Sequence, residues 1–265
     1  MNPFADYAER ARIRGKTRRE ITLNREIRTL NMSLPDSLSY HTAVIYEPEY
    51  TVNIDTDAGK EHAESKNVAI INSDNLNEKM IFSMPGDDIS NGSLVYWMDN
   101  YWIVTERDAN MTVYTRAKMI QCNYLLRWVS EDDEICEQWS IIEDGTKYLT
   151  GEYEDRNFVV TRGDSRIAMT ITRNKETQRF GRSNRFLIDD VGSTHPMAYA
   201  LTKPLKVGSV YNNDGTYKFV LQEITTTDDD RFDLMIADYY KHFKREGEAE
   251  VVPDPSDHYG KKVWL

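Results

Sequence analysis

Two cysteines, five histidines and no long apolar run leave this chain without the raw material of several protein classes. Cys122 and Cys136 are too few for a disulfide framework, and no second ligand pair stands at zinc-site spacing, so both read as buried, reduced thiols. His41, His62, His195, His242 and His258 are scattered with no HExxH or His-x-His pairing, and no metal is expected. Asp87-Asp88 and Asp228 to Asp230 lack the alternating ligands and following glutamate of a calcium loop. GxxxxGK[ST], GxGxxG and GxSxG are all missing, which removes the phosphate cradle, the dinucleotide turn and the nucleophile elbow. A cysteine hydrolase would need a histidine brought near by folding, since none neighbours either thiol in sequence. The sequence thus predicts a protein that is not an enzyme and requires no cofactor. No segment approaches the roughly 18 to 20 apolar residues that cross a bilayer, and MNPFADYAERARIRG lacks a signal peptide's apolar stretch. A soluble protein made in a cytoplasm is expected, and the Asn-x-Ser/Thr triplets at Asn31, Asn91 and Asn110 then count as coincidences.

What is present is aromatic, acidic and strand-forming. With 265 residues, 40% hydrophobic and 11% aromatic, the chain can bury one large core or two modest ones. Its net charge of −11 is uneven: residues 1 to 30 hold eight Lys/Arg and four Asp/Glu, a net +4, which leaves −15 for the remainder. An acidic body repels a polyanion, so sequence-specific DNA binding is excluded and only passing contact with DNA is compatible.

Four segments follow from the pattern: residues 1–37 as a basic helical arm, 38–130 as a first β domain, 131–227 as a second, and 228–265 as a C-terminal helix with an extended tail. The fold class predicted is mainly β, one or two small antiparallel barrels or sandwiches. In the arm, Ala5, Ala8, Ala11, Ile21, Leu23, Ile27 and Leu30 form a thin apolar stripe, Gly15 bends or breaks the run, and Leu34-Pro35-Asp36-Ser37 ends it. Strands are expected at Thr42–Tyr46, Val68–Ile71, Lys79–Ser83, Leu94–Trp97 and Tyr101–Thr105, with the Asp99-Asn100 pair turning the last two. Tyr114, Ile120, Cys122, Tyr124, Leu126 and Trp128 share one parity, as though a single sheet face were buried.

Further hairpins are signalled at Asp144-Gly145, at Gly163-Asp164 between Asn157–Arg162 and Ser165–Thr172, and at Asn213-Asp214-Gly215 before Thr216–Ile224. Asn174–Ser183 reads as an exposed loop. Arg185–Ile188, Met197–Thr202 and Val207–Tyr211 complete the strands. Asp228-Asp229-Asp230 opens a predicted helix whose stripe is Phe232, Met235, Ile236, Tyr239, Tyr240 and Phe243.

The candidate sites are for docking. Arg10, Arg12, Arg14, Arg18, Arg19, Arg25 and Arg28 suit an acidic partner surface, with a solvated arm as the alternative. Val263, Trp264 and Leu265, apolar residues after a polar stretch, suit a partner groove. Tyr96, Trp97, Tyr101, Trp102, Tyr124 and Trp128 admit either a core or a sugar-stacking face, and the core reading is preferred.

Arg19, Asn24, Arg25, Arg28 and Leu30 ahead of Leu34-Pro35-Asp36-Ser37, then G-x-x-V-Y-W from Gly92, W-I-V-T from Trp102 and RAKMIQCNYLLRW from Arg116 to Trp128, form a distinctive series. Leu234-x-x-x-Asp238-Tyr239-Tyr240 adds to it. On these residues the chain resembles tailed-bacteriophage neck proteins, of the head closure or head-tail connector type, from phages of Gram-positive bacteria. The resemblance implies a structural virion protein in a homo-oligomeric ring around the DNA channel, contacting a portal or adaptor protein and tail proteins, with no membrane partner. A tail or baseplate protein with a carbohydrate-binding β domain is the alternative, and it requires exposed tryptophans.

Overall fold

The computed structural model describes residue 15 and residues 17–108, 112–144, 165–190, 192–211 and 214–245. Its first half is a closed antiparallel barrel of six strands: β1 (Tyr40–Tyr46), β2 (Glu64–Asn72), β3 (Glu78–Ser83), β4 (Leu94–Trp97), β5 (Asn100–Arg107) and β6 (Arg116–Gln121). They run in the order β1-β2-β3-β6-β5-β4, and β4 pairs back onto β1. Alternation of side chains sends Ala43, Ile45, Val68, Ile70, Ile81, Val95, Trp102, Val104, Ala117 and Met119 to the interior, where they form one core.

The second half is a nearly closed sheet of seven strands: β7 (Tyr124–Val129), β8 (Ile135–Asp144), β9 (Arg166–Thr172), β10 (Arg185–Leu187), β11 (Ala198–Leu205), β12 (Val210–Tyr211) and β13 (Asp214–Ile224). The path is β10-β11-β13-β9-β8-β7, with β12 beside β13. Its two ends meet through a side chain, since the Tyr124 hydroxyl on β7 donates to the Leu187 carbonyl on β10 at 2.9 Å. Leu126, Trp128, Met169, Ile171, Phe186, Leu201, Phe219 and Leu221 fill the interior with Phe180. The chain is therefore mainly β, as its sequence pattern indicates.

Several local expectations shift. The two residues turning β4 into β5 are Met98 and Asp99, both at positive φ (48° and 57°), while Asn100 already pairs with Trp97. The shared parity from Tyr114 to Trp128 does not mark one face. In β6 the interior residues are Ala117 and Met119, whereas Ile120 faces the neighbouring sheet, and at Cys122-Asn123 the chain crosses into that sheet. Strand β7, assigned by sequence to the first β domain, thus pairs with β8. Asn174–Ser183 is no exposed loop, because it contains a short capped helix, α3 (Lys175–Arg179), with Asn174 and Thr177 buried. Residues 228–238 are not helical either. Arg231 bridges to Ile236, Met235 and Asp238 take positive φ, and only one turn remains, α4 (Tyr239–His242). The turns at 145 and at 163–164, with the strand at 157–162, lie outside the described residues, as does Asn213.

The two sheets share an interface. Tyr46, Ile54, Leu94, Ile103 and Cys122, with Tyr101 and Ile120, pack from the barrel's outer side against Ile141 and Trp139 of β8. The connection after β1, which carries the short helix α2 (Asp57–Glu61), adds polar ties. Asn53 at φ 53° acts as an extra strand residue beside β8: its N–H donates to the Glu137 carbonyl at 2.9 Å and its Oδ1 accepts from the Glu137 N–H at 2.8 Å. Behind it Gln138 Nε2 donates to Thr51 Oγ1 at 3.1 Å, Asn174 Nδ2 to Gln138 Oε1 at 2.8 Å, and Thr172 Oγ1 to the Gly92 carbonyl at 2.8 Å, all among buried residues. Mutual satisfaction removes the cost that any of these groups would incur if buried alone.

Candidate interaction surfaces

Helix α1 (Arg18–Ser33) precedes β1. Thr17 caps it: its hydroxyl accepts from the Glu20 N–H at 3.2 Å while the Glu20 carboxylate accepts from the Thr17 N–H at 3.3 Å, closing a capping box. None of its residues is buried. Leu23, Ile27 and Leu30 are half-buried and repeat at four and three residues, a narrow seam along one side. Arg18, Arg19, Arg25 and Arg28 are exposed on the same helix. Arg10, Arg12 and Arg14, like Val263, Trp264 and Leu265, lie outside the described residues. The structure thus displays four of the seven arginines singled out in the sequence on one helix.

The second feature is a cleft of about 610 Å³ beside β7. Tyr124, Leu125, Trp139, Phe232 and Met235 supply apolar wall, and Asp189, Asp233 and Arg127 supply charge. Arg127 Nε binds Glu137 at 3.2 Å, and Asp233 accepts from Arg231 Nε at 3.0 Å. Sequence reading placed Phe232 and Met235 on a helical stripe; the positive φ of Met235 instead folds the segment back, which brings both to this wall. No periodic signal marks such a site, because its residues come from four separate stretches.

Chemically reactive groups are subdued. Burial pushes the Cys122 thiol far above its ordinary range, and burial, reinforced by Glu176 and Glu134, pushes Cys136 up to about 11. Neither supplies a thiolate at neutral pH. His242 Nδ1 lies 2.6 Å from Asp133 Oδ1 at the surface, tying α4 to the turn after β7. Among the described residues no three His, Cys, Asp or Glu side chains converge to hold a metal ion. None of Trp97, Trp102, Trp128 and Trp139 is exposed, and Trp102 and Trp128 are fully buried in the two cores. No helix among the described residues is long and apolar enough to cross a membrane. No family model, curated protein or solved structure matches the chain.

Proposed function

We propose that this chain is a structural subunit of a tailed-phage neck, a head closure or head-tail connector component that joins portal to tail around the DNA channel. The observation that carries the reading is helix α1: capped at its N-terminus, bearing four exposed arginines and with Leu23, Ile27 and Leu30 only half-buried, it is built to be covered by another molecule. The partner it fits is acidic, and the rest of this chain, at −15, offers such a surface on a neighbouring copy. A heterologous contact of this kind, arm of one copy on body of the next, closes into a ring when its rotation permits. The two sheets, interlocked by the Thr51, Gln138 and Asn174 network, make a rigid body of the sort such a ring requires. An acidic lumen lets a polyanion slide without adhering. The motif series from Arg19 to Trp128 points to the same station.

The deciding experiment is a cryo-EM map of the phage particle carrying this chain, in which we expect its density between portal and tail. Density elsewhere in the particle, or none, overturns the proposal. Replacing Arg18, Arg19, Arg25 and Arg28 with Glu is expected to reduce incorporation into particles at least tenfold while leaving the melting temperature of the free chain unchanged.

A further inference from the structure

We infer that the cleft beside β7 is the receptor for the Lys261–Leu265 segment of the same chain. The proposal is independent of the phage reading. The cleft's volume of about 610 Å³ falls within the roughly 300–1,000 Å³ typical of occupied sites. Its lining is dominated by Tyr124, Leu125, Trp139, Phe232 and Met235, a wall suited to apolar side chains. Of the charged residues that line it, Arg127 pairs with Glu137 and Asp233 with Arg231, while Asp189 contributes an acidic group. The sequence Lys261-Lys262-Val263-Trp264-Leu265 presents the complementary order, two cations followed at once by three apolar side chains with tryptophan at their centre. Tryptophan is among the residues enriched where interfaces are anchored.

Connectivity favours this occupant over any other. Asp233 lines both the cleft and the adjoining groove walled by Tyr240, Lys244 and Arg245, so the described chain leaves the body at the cleft's border. Fifteen residues, 246–260, separate Arg245 from Lys261 in the sequence. Fifteen residues reach at most about 50 Å, enough to bring the segment to the cleft. Covalent linkage within that reach gives the segment a local concentration of order millimolar, far above any concentration of free chains in dilute solution. Docking within one copy follows.

A labelled, amidated peptide of residues 246–265 tests this by fluorescence anisotropy against the full chain carrying Trp264→Ala, whose own segment lacks its anchor. Saturable binding is expected, at least tenfold weaker to the unaltered chain, whose cleft is already occupied. Binding is expected to vanish when the peptide carries Trp264→Ala, a change that leaves the protein untouched. It should also vanish in a chain combining Trp264→Ala with Thr194→Trp, which places an indole in the cleft from an exposed position. Three outcomes overturn the proposal: no binding, equal binding by the two peptides, or binding indifferent to Thr194→Trp. Dimers of the unaltered chain that dissociate on Trp264→Ala, seen by native mass spectrometry, overturn docking within one copy in favour of exchange between copies.

Discussion

Arg185 and Asp230 meet across 45 residues of sequence, with Arg185 Nη2 2.9 Å from Asp230 Oδ2 and the aspartate side chain wholly buried. Burial alone would raise the Asp230 carboxyl, but N–H donors from Asp238 and Thr227, followed by the Arg185 guanidinium, outweigh it and hold the group below the ordinary carboxylate range. A folded value beneath the unfolded one means that the stabilisation is complete at neutral pH and lost as pH falls through the folded value. Asp230→Asn should therefore lower stability at pH 7 by about 2 kcal/mol, since it removes one of the two carboxylates that hold a mostly buried guanidinium and leaves Asp238 as the other. The gap between the two proteins should shrink from about pH 4, where the carboxylate of the unfolded chain begins to protonate, and close as pH falls through the lower folded value. Denaturant titrations from pH 7 to pH 2.5 measure this directly; a gap that stays constant contradicts the assignment. Local pattern placed Asp228 to Asp230 at a helix start, because a charge beside an apolar stripe reads that way. Pairing with an arginine on another strand leaves no trace in a window of a dozen residues.

Among the elements, strands were legible wherever one face is buried and the other is not. In β13, Tyr217, Phe219 and Leu221 alternate with more polar neighbours and all three are buried, as their period required. The continuous parity across β6 and β7 misled for a physical reason: the chain changes sheets at Cys122-Asn123, and Asn123 there mimics backbone, its Nδ2 donating to the Ile142 carbonyl and its Oδ1 accepting from the Ile142 N–H, both at 2.8 Å. Helix α1 was legible from its arginines and its thin stripe, whereas its start, set by the capping box of Thr17 and Glu20, was passed over. Thr17→Ala should remove about 1 kcal/mol from that helix. Because the helix buries no residue, amide exchange across residues 18–33 should quicken about fivefold while the global melting temperature stays in place. A falling melting temperature would show that α1 is part of the cooperative core.

For the whole molecule, the decisive contacts lie between sheets. Gly92, at φ +87°, sits with its α-carbon against the Gly215 carbonyl, and a methyl group there meets that backbone oxygen at less than van der Waals distance. Gly92→Ala should cost about 3 kcal/mol, combining left-handed strain with displaced backbone. As Gly92 stands before β4 and Gly215 lies in β13, the change should lower the stability of both halves together in one transition, followed by tryptophan fluorescence and far-ultraviolet circular dichroism. Two separated transitions would show that the halves unfold independently.

By itself the sequence determined the β character, the position of most strands, the charged arm and the reduced thiols, because period-two burial, a run of arginines and cysteine scarcity are local properties. Only the tertiary structure decided which strands close the barrel and that β7 belongs to the second sheet. It alone also placed Thr51, Gln138 and Asn174 in one polar network, and Phe232 and Met235 on a cleft wall. Those outcomes depend on pairing energies between residues far apart along the chain, which no local spacing encodes.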